Sequence, residues 1–199
     1  MAPVVVDPKR VHAFADADGF HQWLGRHHDR EPEVWIRIYK VKSGTPTISP
    51  AQAIEAALCW GWIDGIRKGL DDVSFLQRYS PRTKTGVWSQ INVDTVARLI
   101  ADGRMTPAGL TQVEAAKADG RWDKAYRSKG STVPADLQAA IDAVPEARAM
   151  FATLSAQNRF ALIFRTDAMK TEAGRKKKIA EFVDMLRRGE TIHPQGKTR

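Results

Sequence analysis

A single cysteine, Cys59, occurs in 199 residues. It leaves no intramolecular disulfide and no multi-cysteine zinc site, and it fits a reducing compartment. No apolar run approaches the roughly 18 residues needed to span a bilayer. Met1 to Arg10 lacks the apolar stretch of a signal peptide. A cytoplasmic protein without membrane insertion is expected. A Walker A sequence and a Gly-x-Gly-x-x-Gly run are also missing, and no cofactor is expected. The histidines number five. His21 and His28 are seven apart, but no cysteine joins them and Asp29 is adjacent to His28 rather than a turn away. His27-His28 reads as a helix C-terminal feature, where cations suit the dipole, and no metal site is expected.

What is present fits one domain, or one domain plus a helical appendage. The hydrophobic fraction is 43%, enough for a proper core. The net charge is +8 and unevenly placed, with ten basic residues against five acidic ones from Arg165 onward. Two readings of that end stay open. One is a solvated helix face; the other is a patch for an anionic partner, giving weak nonspecific nucleic-acid binding. No DNA-binding motif is visible.

The pattern along the chain predicts an α+β fold: a small, mostly antiparallel N-terminal sheet of about three strands with packed helices, then a C-terminal helical unit. Residues 1–13 read as an arm. Asp16 or Asp18 caps a helix carrying Phe20, Trp23, Leu24 and His27. Val34 to Tyr39 alternates as a strand, with Val34, Ile36 and Ile38 on one face. Ser49-Pro50-Ala51-Gln52 has a capping-box pattern and opens a helix to about Trp60. Its Ile54, Ala57 and Leu58 are expected to pack on the Val34 face. Trp62–Arg67 and Val73–Tyr79 read as two strands joined by a turn. Helices then carry Val93, Val96, Ala97 and Ile100, and Leu110 and Val113 after Thr106-Pro107. The domain layout expected is 1–127 and 134–190. Ser128–Val133 reads as the linker, and the tail from Gly189 is expected to fray.

Chemistry concentrates in one region: Ala57-Leu58-Cys59-Trp60-Gly61-Trp62-Ile63-Asp64-Gly65, then Gln77-Arg78-Tyr79-Ser80-Pro81-Arg82 and Val87-Trp88-Ser89-Gln90-Ile91-Asn92. Tryptophans, arginines and one acid this close are costly to hold unless they pair with each other or with a ligand. Asp64 is a candidate acid or base, or an acceptor for Arg67, Arg78 or Arg82. Arg78 and Arg82 offer forks that match carboxylate or phosphate. Ser89 reads as a helix cap, and Asn92 follows it in the first turn. Cys59, on an apolar helix, reads as an inert core thiol.

These blocks, with Gly103-Arg104-Met105-Thr106-Pro107-Ala108-Gly109-Leu110, Ala116-Lys117-Ala118-Asp119-Gly120-Arg121-Trp122 and Thr171-Glu172-Ala173-Gly174-Arg175, resemble the YdeI/OmpD-associated, or bacteriocin-protection, family. The resemblance covers most of residues 15–190. Gly174-Arg175-Lys176-Lys177-Lys178 is more lysine-rich than the family pattern. The resemblance implies a small bacterial protein linked to antimicrobial-peptide or envelope-stress resistance, and it implies no particular reaction.

Three functions remain open on the sequence. The first is a binding module whose pocket, formed by Trp62, Asp64, Arg78, Arg82, Trp88 and Asn92, holds a small anionic ligand or a peptide. The second is an enzyme using Asp64 as acid or base beside an arginine clamp. The third is a nucleic-acid binder acting through the basic last helix. The sequence leaves the oligomeric state open.

Overall fold

Six helices begin at a side chain that accepts a hydrogen bond from the backbone N–H three residues on: Asp16, Ser49, Ser89, Thr106, Ser155 and Thr171. Each cap satisfies a donor that the first helical turn leaves without a partner. At Ser49 the box is complete, because Gln52 returns a bond to the Ser49 N–H at 3.0 Å. The computed structural model describes residues 5–127 and 130–195. Ser128 and Lys129 of the expected linker lie outside the described residues. The chain divides into two compact units, Met1–Tyr126 and Arg127–Arg199. Among the described residues, no helix is long and apolar enough to cross a membrane.

The first unit is α+β. Strands β1 (Val11–His12), β2 (Val34–Tyr39), β3 (Trp62–Gly69) and β4 (Ser74–Pro81) form one sheet in the order β1-β2-β4-β3. β4 pairs antiparallel with β2 and β3, while β1 pairs parallel with β2. The sheet thus has four strands rather than three. β1 falls within the expected arm, because two residues are too few for an alternating pattern to show.

Four helices accompany the sheet: α1 (Ala17–His27), α2 (Pro50–Cys59), α3 (Gln90–Ala101) and α4 (Pro107–Ala118). α2 lies between two cores. Ala53, Ala56 and Ala57 join Val34, Ile36 and Ile38 of β2 and Phe20, Trp23 and Leu24 of α1. Leu58 and Cys59 instead pack with Trp88, Val96, Leu99, Val113 and Ala116. Leu58 is therefore buried, but among α3 and α4 rather than on the sheet. α2 is apolar over most of its surface, Gln52 and Glu55 apart, so its pattern did not say which apolar side faced what. On α3 the buried residues are Val96 and Leu99, whereas Ala97 and Ile100 are exposed. The hydrophobic arc is narrower and rotated from the one expected.

Gly109 sets the approach of α4 to α2. A Cβ built there would lie 2.2 Å from the Cys59 carbonyl oxygen. That same oxygen accepts from the Thr106 N–H at 3.1 Å and the Thr106 hydroxyl at 2.6 Å.

The second unit is helical: α5 (Ala135–Asp142), α6 (Pro145–Ala152), α7 (Ala156–Asp167) and α8 (Glu172–Arg187). Leu137, Ile141, Phe151, Leu162, Ile179, Phe182 and Leu186 form its core. The tail from Glu190 to Gln195 is held rather than frayed, and residues 196–199 lie outside the described residues. Asn158, 1% exposed, donates to the His193 carbonyl at 3.0 Å and to Gln195 Oε1 at 2.9 Å. It also accepts from the His193 N–H at 2.9 Å. The tail lacks an apolar pattern, so nothing local announces that a buried amide will fix it.

Candidate functional site

Residues opposite each other in neighbouring strands share a sheet face. Asp64 of β3 stands opposite Tyr79 of β4, and Tyr79 stands opposite Val34 of β2. Arg78, one residue earlier, therefore projects from the other face, opposite Trp35. There its Nε donates to Glu33 Oε2 at 2.6 Å. Asp64 lies near enough to Arg82 for their charges to interact, whereas Arg78 projects from the face opposite to Asp64 and is taken up by Glu33.

Arg82 follows β4 directly. Its backbone N–H donates to the Gly61 carbonyl at 3.0 Å, which ties it to the start of β3. Gly61 has φ of 72°, a left-handed conformation that favours glycine. The Arg82 side chain turns inward and is only 7% exposed. Its Cζ sits 3.5 Å from the centre of the Trp88 ring, a cation–π contact. Nη1 donates to the Val87 carbonyl at 3.4 Å, while Nε and Nη2 have no hydrogen-bond partner among the described residues. Nε–H and Nη2–H lie along the same edge of the guanidinium. That edge grips both oxygens of a carboxylate or phosphate.

The surroundings are aromatic and charged. Trp88 is 2% exposed, and its Nε1 likewise lacks a partner. Trp122 meets it at 4.9 Å between ring centres. Tyr126 is drawn in by a parallel bridge to Ser89 and by backbone bonds with Trp88 and Gln90 of 3.0 and 2.8 Å. Arg121 donates to the Gly86 carbonyl at 3.0 Å and pairs with Asp119 at 2.7 Å.

The charges disturb one another. Burial lowers the Arg82 pKa to about 10; Asp64 opposes the shift and Arg121 adds to it. Asp64 is exposed as a residue, yet protein atoms crowd its carboxyl. Desolvation raises its pKa, against its own backbone hydrogen bond and the attraction of Arg82 and Arg67. The Tyr79 phenol is pushed up, first by burial and then by Asp64. Tyr126 is raised for the same two reasons. Among the described residues, no ion pair relieves Arg82; its Nε and Nη2 donors stay buried and unmatched, with Asp64 near enough to act on its charge.

Trp62 is 1% exposed, packs edge-on against Trp23 at 6.0 Å, and donates from Nε1 to the His28 carbonyl at 3.2 Å. It is a core residue rather than a pocket wall. Ser89 caps α3 by accepting from the Asn92 N–H at 3.2 Å, which places Asn92 in the first turn, half-buried. Cys59 is buried and its thiol pKa is raised by that burial, as suits an unreactive thiol. Tyr79, Arg121, Trp122 and Tyr126 were not singled out from the sequence. The last three reach the site through the Ser89–Tyr126 bridge, which has no local signature.

The basic residues of α8 are largely engaged. Arg175 pairs with Asp136 at 2.6 Å and Asp167 at 3.2 Å, and Lys176 pairs with Glu172 at 2.7 Å. Lys178 pairs with Glu181 and Arg187 with Asp184 at 2.7 Å. Among the described residues, no group of three His, Cys, Asp or Glu side chains is placed to hold a metal ion.

Comparison with known families divides the chain in the same way. Residues 12–112, just over half of it, match a family described as a domain of unknown function, DUF8412. Residues 131–189 match the family described as bacteriocin-protection, YdeI or OmpD-associated. The chain belongs to the first family and carries the second family's segment in its helical unit. The tryptophan-rich block and both arginines thus fall in the DUF8412 region, and Thr171–Arg175 falls in the YdeI/OmpD-associated one. No curated protein and no solved structure matches the chain.

Proposed function

We propose that this DUF8412 member is a binding module for a small anion bearing a carboxylate or similar two-oxygen group, either free or at the end of a peptide. One observation carries the reading: a buried guanidinium whose Nε and Nη2 donors have no partner. Unmade hydrogen bonds of a buried charged group cost about 1–3 kcal/mol or more, so such a fork is retained where something fills it. Trp88 supplies a face that holds the guanidinium flat, and Asp64 and Tyr126 lie near enough to Arg82 to act on its charge.

The raised pKa of Asp64 supports this reading and links binding to pH. An anion on Arg82 repels the Asp64 carboxylate and raises its pKa further. Binding therefore takes up a proton and strengthens as pH falls through the Asp64 titration. A protonated Asp64 can also donate to the ligand. The same feature favours the second reading, in which Asp64 transfers that proton to a bound substrate and Arg82 stabilises its negative charge.

Calorimetric titration with acetate and with a short peptide, free or amidated at its C-terminus, tests the proposal. The expected result is saturable binding of acetate and of the free-acid peptide, with little of the amide. Equal binding of both peptides, or none of acetate, would contradict it.

A further inference from the structure

At the opposite edge of the sheet from β3, two histidines pack on one indole. The His12 ring of β1 lies 5.4 Å from Trp23, and His27, at the end of α1, stacks on it at 4.8 Å. They border a cavity of about 430 Å³ whose rim also carries Lys9, Arg10, Arg26, Glu31 and Glu33. The cations outweigh the acids. Glu33 is already engaged by Arg78 at 2.6 Å and by the Trp35 Nε1–H at 3.1 Å. Arg10 is held only loosely, 3.7 Å from Asp7 and 3.8 Å from Glu33. Among the described residues, neither Lys9 nor Arg26 has a carboxylate within 4 Å, and neither imidazole has a hydrogen-bond partner. Trp23 is only 8% exposed, so the cavity offers charge and N–H donors rather than a stacking platform.

We propose that this cavity is a second anion site, distinct from Arg82, which binds a tetrahedral dianion of the sulfate or phosphate class and is strengthened by protonation of His12 and His27. With neutral imidazoles the rim carries three cations against two acids. Protonating both rings adds two charges and up to two further donors facing the ligand. Burial first, then repulsion from His27, holds the His12 pKa below 6.5, while Glu31 pulls it up. The neutral form of His12 is therefore favoured, and its protonation adds charge to the rim as the solution is acidified. A bound dianion raises both titrations. Through linkage, affinity then rises about tenfold for each imidazole whose pKa the ligand lifts by one unit.

Sulfate is the probe, because it keeps both charges between pH 5 and 8. Imidazole carbon-bound proton resonances of the full-length protein are followed against pH at constant ionic strength, in chloride and in sulfate. The expected result is an upward shift of both titration midpoints by about one unit in sulfate. Binding should be weaker in R26Q, whose exposed side chain leaves the fold intact, and in H27Q. Midpoints that do not move at high sulfate, or sulfate affinity unchanged between pH 8 and 5.5, would overturn the proposal. Tighter binding of methyl phosphate than of inorganic phosphate at pH 5.5, where both are mainly monoanions, would assign the site to a phosphate monoester; the reverse would assign it to the free anion.

Discussion

Replacing Arg82 by methionine separates a structural arginine from one that awaits a ligand. The side chain is 7% exposed, and two of its donor atoms are unmatched. Burial lowers its pKa to about 10, which corresponds to about 3 kcal/mol of disfavoured charge. Against this stands the contact with Trp88 at 3.5 Å, worth about 2 kcal/mol when desolvated. The 3.4 Å bond to Val87 adds little at that length. Methionine fills much of the same volume and is flexible enough to fit. R82M is therefore expected to leave stability unchanged or raise it by up to about 2 kcal/mol. It should also abolish the rise in melting temperature that acetate gives the wild type. All six tryptophans precede residue 127, so fluorescence-detected urea unfolding reports on the first unit alone. A loss of more than about 2 kcal/mol in R82M would show that the guanidinium is a structural element, and the binding argument would fall with it.

Three further outcomes follow from the same structure. D64N removes a negative charge beside the fork and should tighten acetate binding by about tenfold, or about 1.4 kcal/mol, while flattening its dependence on acidic pH; weaker binding would mean that Asp64 holds Arg82 in place. G109A puts a methyl group 2.2 Å from the Cys59 oxygen, and it should cost about 2 kcal/mol or more by forcing α4 off α2, read by tryptophan fluorescence. N158A strips the partners of His193 and Gln195 at a cost of about 1–3 kcal/mol; hydrogen exchange at residues 191–195 should accelerate strongly, and unchanged protection there would refute the pinned tail.

Helix starts were the most legible part of the sequence. Ser49, Ser89 and Thr106 announce their helices because a cap is a local device, completed within three residues. β2 was equally plain, since six alternating residues fix a strand and its faces. Partners were harder to read. Leu58 is apolar on a helix that is apolar nearly all round, so burial was evident and its neighbours were not. The tail beyond Gly189 has no apolar stripe, and one distant amide, Asn158, fixes His193 and Gln195. The site was half legible. Asp64, Arg82 and Trp88 stood out as costly groups in apolar company; Arg82 lies over the Trp88 ring and feels the charge of Asp64. Arg78 stood out for the same reason, yet strand parity sends it to the far face and to Glu33. Tyr126 could not be found at all, because only a single backbone bridge, across 36 intervening residues, brings it to Ser89.

The most direct test of the anion site is the Arg82 side chain itself. In a nitrogen–proton correlation spectrum, the Arg82 Nε–H peak is identified by its loss in R82M and followed as acetate is added to the wild type. The expected result is a downfield, saturable shift of that peak with the same midpoint as the calorimetric titration. A peak that stays in place while acetate reaches saturating concentration, in a protein whose other resonances remain those of the folded state, would contradict the claim that the Arg82 fork is the anion's grip.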